Sequence, residues 1–154
     1  GFPVAAGLAT EEAAIGMTVG VHGSTFGGNP LAMAVALAAF DVISKDETLA
    51  GDCARSQQLR AGLAEIADRY PTVVKEIRGR GLLIGIQLKV VNKDFIPLAR
   101  EQQLLITGGG ENIVRLLPAL TITEDDAREV LSRFESACAA ALARRAKPAT
   151  QVTA

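Results

Sequence analysis

Two places in the sequence put chemically capable side chains where their neighbours would let them act. The first is His22-Gly23-Ser24-Thr25-Phe26-Gly27-Gly28-Asn29-Pro30. A phosphate needs several donors converging on its oxygens. Flanking glycines let the backbone come close, and the hydroxyls of Ser24 and Thr25 add donors. The same residues also read as a glycine-rich turn before a capped helix, and local sequence leaves both readings open. The second place is Arg115, between Val114 and Leu116. In a strand it would face away from those apolar neighbours. Its guanidinium could there fork onto a carboxylate through two parallel hydrogen bonds. It could equally be an edge-strand arginine paired with a local acid such as Glu111.

Other groups carry less. Arg78 and Arg80 flank Gly79 beside Gly81. An anion site is one reading; a turn whose arginines meet acids on nearby helices is the favoured one. Gly108 to Gly110 has the look of a phosphate cradle, but no following helix offers its amino end, so a hairpin turn is expected. His22 is the only histidine. With no partner nearby in sequence, it reads as a loop residue supporting the Ser24–Thr25 segment rather than as an acid or base.

These residues must be positioned by elements that the pattern predicts. Residues 1–9 read as a weakly strand-like stretch, broken by Thr10-Glu11-Glu12, and Met17 to Val21 as another short strand. Asn29-Pro30 is a strong helix start, since Asn caps orphan amides and Pro at the first position has none to lose. The helix that follows, Leu31 to about Ser44, is Ala-rich and apolar nearly all round, which predicts burial on most sides. A second helix runs from Glu47 to Arg69, with Leu49, Cys53, Leu59, Leu63, Ile66 and Tyr70 near helical spacing, and Pro71 ends it. Strands are expected at Val73–Ile77 and Leu82–Leu88, a short helix at Asp94–Gln103, and a strand pair at Leu104–Ile106 and Ile113–Leu117. The last helix starts at Thr123 with Asp126 completing an imperfect capping box. Its stripe is Ala127, Val130, Leu131, Phe134, Cys138 and Leu142.

Composition narrows the class. The 154 residues are 49% hydrophobic but only 4% aromatic, which predicts a packed and largely aliphatic core. Sixteen Lys and Arg against seventeen Asp and Glu leave a net charge of -1, with no general pull toward nucleic acid or anionic membrane. The longest apolar run, Leu31 to Phe40, falls well short of the ~20 residues that cross a bilayer. Nothing reads as a secretion signal. Cys53 and Cys138 lack CxxC spacing and read as two buried reduced thiols. A cytoplasmic small-molecule protein is the expectation. The opening Gly1-Phe2-Pro3-Val4 is apolar where a terminus is usually polar, which suggests a chain cut through a folded region.

Three stretches read together resemble one family, the class III pyridoxal-phosphate aminotransferases. His22 to Ala32 resembles their phosphate-loop segment. Ile77-Arg78-Gly79-Arg80-Gly81-Leu82-Leu83-Ile84-Gly85-Ile86 is similar to their small-domain strand motif. Ile113-Val114-Arg115-Leu116-Leu117-Pro118-Ala119-Leu120 looks like the segment carrying their substrate-carboxylate arginine, though Ala119 stands where relatives often have a second Pro. The order and separation of all three cover the chain except its tail.

The resemblance implies an α/β fold: the carboxy-terminal part of a fold-type I transferase. Residues 1–44 would end the large cofactor-binding domain, 45–147 would form the small α+β domain, and 148–154 a frayed tail. Pyridoxal 5'-phosphate is the implied cofactor. Thr25 would bind its phosphate on the neighbouring subunit of a homodimer. Ser24 would line the same entrance and touch substrate, and Arg115 would hold the α-carboxylate of the amino-acid substrate. Gly1-Phe2-Pro3 is similar to the end of the run that follows the family's Schiff-base lysine, so that lysine is expected upstream of Gly1 and the chain alone is expected to be inactive. Within the family the likeness is greatest to members that exchange the δ-amino group of N-acetylornithine with 2-oxoglutarate, in arginine biosynthesis. Transaminases of ornithine, succinylornithine or 4-aminobutyrate are the alternatives, as is a non-catalytic small α/β binding domain.

Overall fold

The computed structural model describes residues 2–146. They divide into two units, one up to Asp46 and one from Glu47 onward. The expected frayed tail, residues 148–154, lies outside the described residues.

The first unit contains two helices, α1 (Glu11–Ala14) and α2 (Pro30–Ile43). Neither strand expected here forms. Thr10-Glu11-Glu12, read as a breaker, instead starts α1: the Ala13 amide donates to Thr10 Oγ1 at 3.2 Å, and the two glutamates sit in the first turn. Met17 to Val21 is turn and irregular backbone, with Gly20 at φ +91°. The Asn29-Pro30 signal acts as expected. Asn29 Oδ1 accepts from the Ala32 amide at 2.9 Å and Pro30 occupies the first position. The burial expected of α2 does not follow among the described residues. Ala32 is its one buried residue, whereas Leu31, Leu37 and Phe40 are all more than 60% exposed.

The second unit holds α3 (Asp46–Arg69), β1 (Val74–Arg80), β2 (Leu83–Leu88), α4 (Asn92–Glu101), β3 (Thr107–Gly109), β4 (Ile113–Leu116) and α5 (Glu124–Ala146). The strands form one antiparallel sheet in the order β1-β2-β4-β3. One face of it is packed by Leu59, Leu63 and Ile66 of α3, Phe95 and Leu98 of α4, and Ala127, Phe134 and Ala141 of α5, against Ile84, Ile86 and Val114. Phe95 and Phe134 meet at a ring-centroid distance of 5.5 Å. The other face stays open, and it is this face that presents Arg115. The sheet with helices on one side is the α+β arrangement expected of this region.

Several boundaries moved, each for a local reason. β1 runs on through Gly79-Arg80, so the hairpin turn is Gly81-Leu82, between Arg80 and its partner Leu83. From α3, Ser56 Oγ donates to the Gly81 carbonyl at 2.9 Å and holds that turn. Leu104–Ile106 does not pair as a strand. Leu104 and Ile106 are buried with Leu105 exposed, which mimics alternation, but the Leu104 amide bonds back to the Ala99 carbonyl and the ladder starts only at Thr107. In the following turn no glycine takes positive φ; Glu111 and Asn112 do, at +54° and +61°. The capping box of α5 closes reciprocally. The Thr123 amide donates to Asp126 Oδ2 and the Asp126 amide donates to Thr123 Oγ1, both at 3.1 Å. The Thr123 hydroxyl also donates to Asp126 Oδ2, at 2.6 Å, and this bond, aided by the one from the Thr123 amide, holds the Asp126 carboxyl below its usual range.

The cysteines separate. Both are free thiols, but Cys53 is exposed because the first half of α3 lies outside the core. Cys138 is buried among the α5 contacts, and burial pushes its thiol up to about 12. At pH 7 a thiol reagent is therefore expected to label Cys53 and spare Cys138 until the protein is denatured, which a titration of thiol equivalents with and without denaturant checks. The sign for stability follows. Burial of the neutral thiol favours the folded state in full below about pH 9, and that contribution is lost as the pH rises from about 9 toward about 12.

Candidate active-site segments

The sequence candidates fall in different units: Ser24 and Thr25 in the first, Arg115 in the second.

Ser24 organises its own loop. Its Oγ accepts from the Gly27 amide at 3.0 Å, a tight turn that a side chain at Gly27 would crowd, since a Cβ there would lie 3.0 Å from Ser24 Cβ. Gly28 follows at φ +70°, and Asn29 Nδ2 donates back to the Phe26 carbonyl at 2.6 Å. The loop is thus closed on itself at Ser24 and tied to the start of α2 through Asn29. Ser24 and His22 line a hollow of about 630 Å³ together with Phe2, Asn29 and Met33. Thr25 is not part of that wall. It is exposed, and neither its hydroxyl nor its amide makes a hydrogen bond among the described residues. Of the two hydroxyls, Ser24 has its oxygen committed to the turn and Thr25 is wholly available as a donor.

Arg115 stands on the open face of the sheet, opposite the buried Val114 and Leu116, as strand alternation requires. It pairs with Gly85 on β2 and Thr107 on β3, and Gly85 pairs in turn with Arg78 on β1. Arg78 and Arg115 therefore share one row across the sheet, with a glycine between them. Their environments differ sharply. Arg78 donates to Glu76 at 2.9 Å, to Glu111 at 3.2 Å and to the side-chain Oε1 of Gln87 at 3.0 Å. Its charge is matched twice over, and its guanidinium holds the Glu76 carboxyl below the usual range. Arg115 has a single bond, from Nη2 to the Gly108 carbonyl at 3.2 Å, and no carboxylate partner among the described residues. The local acid weighed as its partner, Glu111, belongs to Arg78.

That corrects the reading of Arg78 and Arg80. Arg78 meets acids on its own strand and in the β3–β4 turn rather than on helices, because β1 continues past Gly79 and presents residue 78 on the sheet face. Arg80 is exposed at the hairpin end. Sequence reasoning missed Gln87, Asn92 and Asn112. The first is the one polar side chain in the run Leu82–Leu88 and is 9% exposed. Its Nε2 donates to the Glu111 carbonyl at 3.1 Å, which ties β2 to the turn before β4. A lone Gln inside an apolar run was the available signal.

The chain is similar to known proteins over most of its length. The family described as aminotransferase class-III matches residues 1–138. The chain is 52% identical over 146 residues to acetylornithine aminotransferase 2 of Caulobacter vibrioides, covering 95% of this chain and 36% of that protein. It is 50% identical over 137 residues to the acetylornithine aminotransferase of Brucella melitensis, covering 89% and 34%. Among solved structures, N-acetylornithine aminotransferase from Stenotrophomonas maltophilia K279a superposes with a TM-score of 0.71 at 35% identity, over 77% of this chain and 33% of that one. The ornithine aminotransferase of Toxoplasma gondii, whose structure has partial occupancy of PLP at its active site, gives 0.73 at 31% identity, over 88% and 33%. The chain thus spans about a third of the length of the relatives it matches. Among the described residues no helix is long and apolar enough to cross a membrane.

Proposed function

Because this chain belongs to the class-III aminotransferases, we propose that it forms the carboxy-terminal part of a pyridoxal-phosphate transaminase that moves the δ-amino group between N-acetylornithine and 2-oxoglutarate. In this reading the enzyme is a cytoplasmic homodimer of arginine biosynthesis. Residues 1–44 end its large domain and 45–147 make its small domain. The names of the relatives at 52% and 50% identity support the acetylated substrate. The observation that carries the reading is the contrast on the open sheet face: one arginine neutralised by two glutamates, and Arg115 beside it left with donors to spare.

The first unit suits the cofactor's phosphate. Thr25 offers an unused hydroxyl and an unused amide on an exposed, glycine-flanked loop, which is what one edge of an anion cup requires. Thr25 would donate to a phosphate oxygen of the neighbouring subunit's cofactor. Ser24, its oxygen already accepting from Gly27, keeps its hydroxyl proton to donate toward substrate in the hollow it lines. When bound, the cofactor supplies the electron sink for amino-group transfer. Arg115 would grip the α-carboxylate with its free donors and so aim the far amine. The Schiff-base lysine would belong to the part of the enzyme that this chain does not span, so the chain alone does not turn over.

The test is to join this chain to the segment of the Caulobacter vibrioides enzyme that it does not cover. Glutamate formation from N-acetylornithine and 2-oxoglutarate is expected, with ornithine, succinylornithine and 4-aminobutyrate as slower donors. A folded dimer that transfers no amino group from any of the four would overturn the proposal. In the same enzyme Thr25→Ala is expected to weaken cofactor retention about tenfold, the scale of one lost hydrogen bond to a charged group, with donor preference unchanged. Dialysis against cofactor-free buffer, followed by the cofactor's absorbance, reads this directly.

A further inference from the structure

Arg115 rests on one main-chain oxygen, and the strand pair that carries this oxygen is held by a side chain from another element. Arg115 Nη2 donates to the Gly108 carbonyl. One residue on, the Gly109 carbonyl accepts from Asn92 Nδ2 at 3.2 Å, and the same nitrogen reaches the Ile113 carbonyl at 3.0 Å. Gly109 and Ile113 are partners across the β3–β4 ladder. A single carboxamide at the start of α4 therefore clasps both strands around Arg115, using both of its hydrogens. Asn112 secures the other side. Its Nδ2 donates to the Leu88 and Val90 carbonyls at 2.8 and 2.6 Å, and its Oδ1 accepts from the Asn92 amide at 2.7 Å.

The clasp answers a local weakness. β3 is three residues long, Thr-Gly-Gly, at the edge of the sheet. Two glycines give it little to pack and much entropy to lose on ordering, so without an outside tether it would fray. Gly108 lies against α4, where an added Cβ would come 3.3 Å from Ile96 Cδ1 and 3.7 Å from Asn92 Nδ2. We propose that Asn92 is a positioning residue for Arg115: its carboxamide holds the strand pair so that the guanidinium keeps one donor on Gly108 and presents the rest to a substrate carboxylate. This rests on the reading of Arg115 given above. Nothing in the clasp touches substrate; it acts by preorganisation.

Asn92→Asp tests it, in the complete cofactor-loaded enzyme. The change keeps shape, removes both hydrogens, and places an acid in the first turn of α4, where the helix dipole favours one. Two donors are compared: N-acetylornithine, and the matching acylated diamine with the same amine and acyl ends but no α-carboxylate. The preference for the carboxylate donor is expected to fall about tenfold, through KM with kcat nearly kept. Asn92→Ala, which removes the hydrogens without adding charge, is expected to act in the same direction. Equal loss on both donors, or an unchanged preference in both variants, would overturn the inference. Arg115→Ala serves as the control. If it leaves the preference intact, the carboxylate reading of Arg115 fails. If it abolishes the preference while both Asn92 variants keep it, the positioning role alone fails. Adding Asn92→Asp to Arg115→Ala is expected to cost no further preference, and a further loss would also count against the role.

Discussion

Replacing Arg115 with alanine is expected to raise the KM for the amino-acid donor about 100-fold while kcat falls far less. The size follows from what would be lost. A guanidinium–carboxylate fork makes two charge-assisted hydrogen bonds, and losing such a pair costs roughly 3 kcal/mol, or about two powers of ten in binding. The split follows from where the contact is made. The α-carboxylate lies at the end of the substrate remote from the reacting amine, so its grip is nearly the same in ground and transition states and appears in KM. Arg115→Lys is expected to recover only part, because an ammonium restores charge but not the planar fork. Stability offers a separate check. Arg115 is exposed and bonded to a single carbonyl, so its removal is expected to move Tm by no more than a degree or two. Steady-state kinetics on N-acetylornithine and on a donor without the carboxylate would measure the effect. A loss shared equally by both donors would sink the assignment.

The second large effect lies in the fold. Gly79→Ala is expected to destabilise the protein by about 3 kcal/mol, seen as a drop in Tm on the order of 10 °C. Gly79 sits inside β1 at φ +107°, a conformation that an L side chain rarely adopts. A Cβ would also lie 2.0 Å from the Leu83 carbonyl oxygen and 3.1 Å from its carbon. Both obstacles are backbone, and relieving them would break the register that joins Gly79 to Ile84 and Arg80 to Leu83. Gly62 makes the instructive contrast. An added Cβ there would meet Leu131 Cδ1 at 2.3 Å, Cδ2 at 2.9 Å and Cγ at 3.1 Å, so the Leu131 side chain must shift, but no backbone stands in the way and α3 would gain helix propensity worth about 1 kcal/mol. Gly62→Ala is expected to fall within about 1 kcal/mol of the parent. Thermal denaturation of the two variants side by side distinguishes a glycine needed for its φ from one that merely fits.

Much of the architecture was legible because the signals were local. Asn29-Pro30 and Thr123 with Asp126 mark helix starts through hydrogen bonds that span three residues. The apolar stretches Leu82–Leu88 and Ile113–Leu117, bounded by glycine-containing turns, placed two strands nearly to the residue. The stripe of α5 named Ala127, Phe134 and Cys138 as core. Where local signals misled, a neighbour decided. Leu104 and Ile106 alternate like a strand because both point into the core, but the Leu104 amide is taken by α4. The glycines of 108–110 drew attention, whereas positive φ fell on Glu111 and Asn112, the latter with its carboxamide bound to main-chain groups of Leu88, Val90 and Asn92.

The candidate site divides along the same line. From the sequence alone come the identity of the donors, Ser24, Thr25 and Arg115, and the family to which their spacing belongs, because residue types and short-range order are properties of the linear chain. Only the tertiary structure decided which donors are spoken for. Ser24 spends its oxygen on Gly27, Thr25 spends nothing, and Glu111 goes to Arg78 and leaves Arg115 open. Glu111 is 33 residues from Arg78 and only four from Arg115, so proximity along the chain pointed to the wrong pair. Strand register, which brings β1, β2 and β4 side by side, set the distances that charge responds to, and Coulomb attraction follows distance in space, not position in sequence.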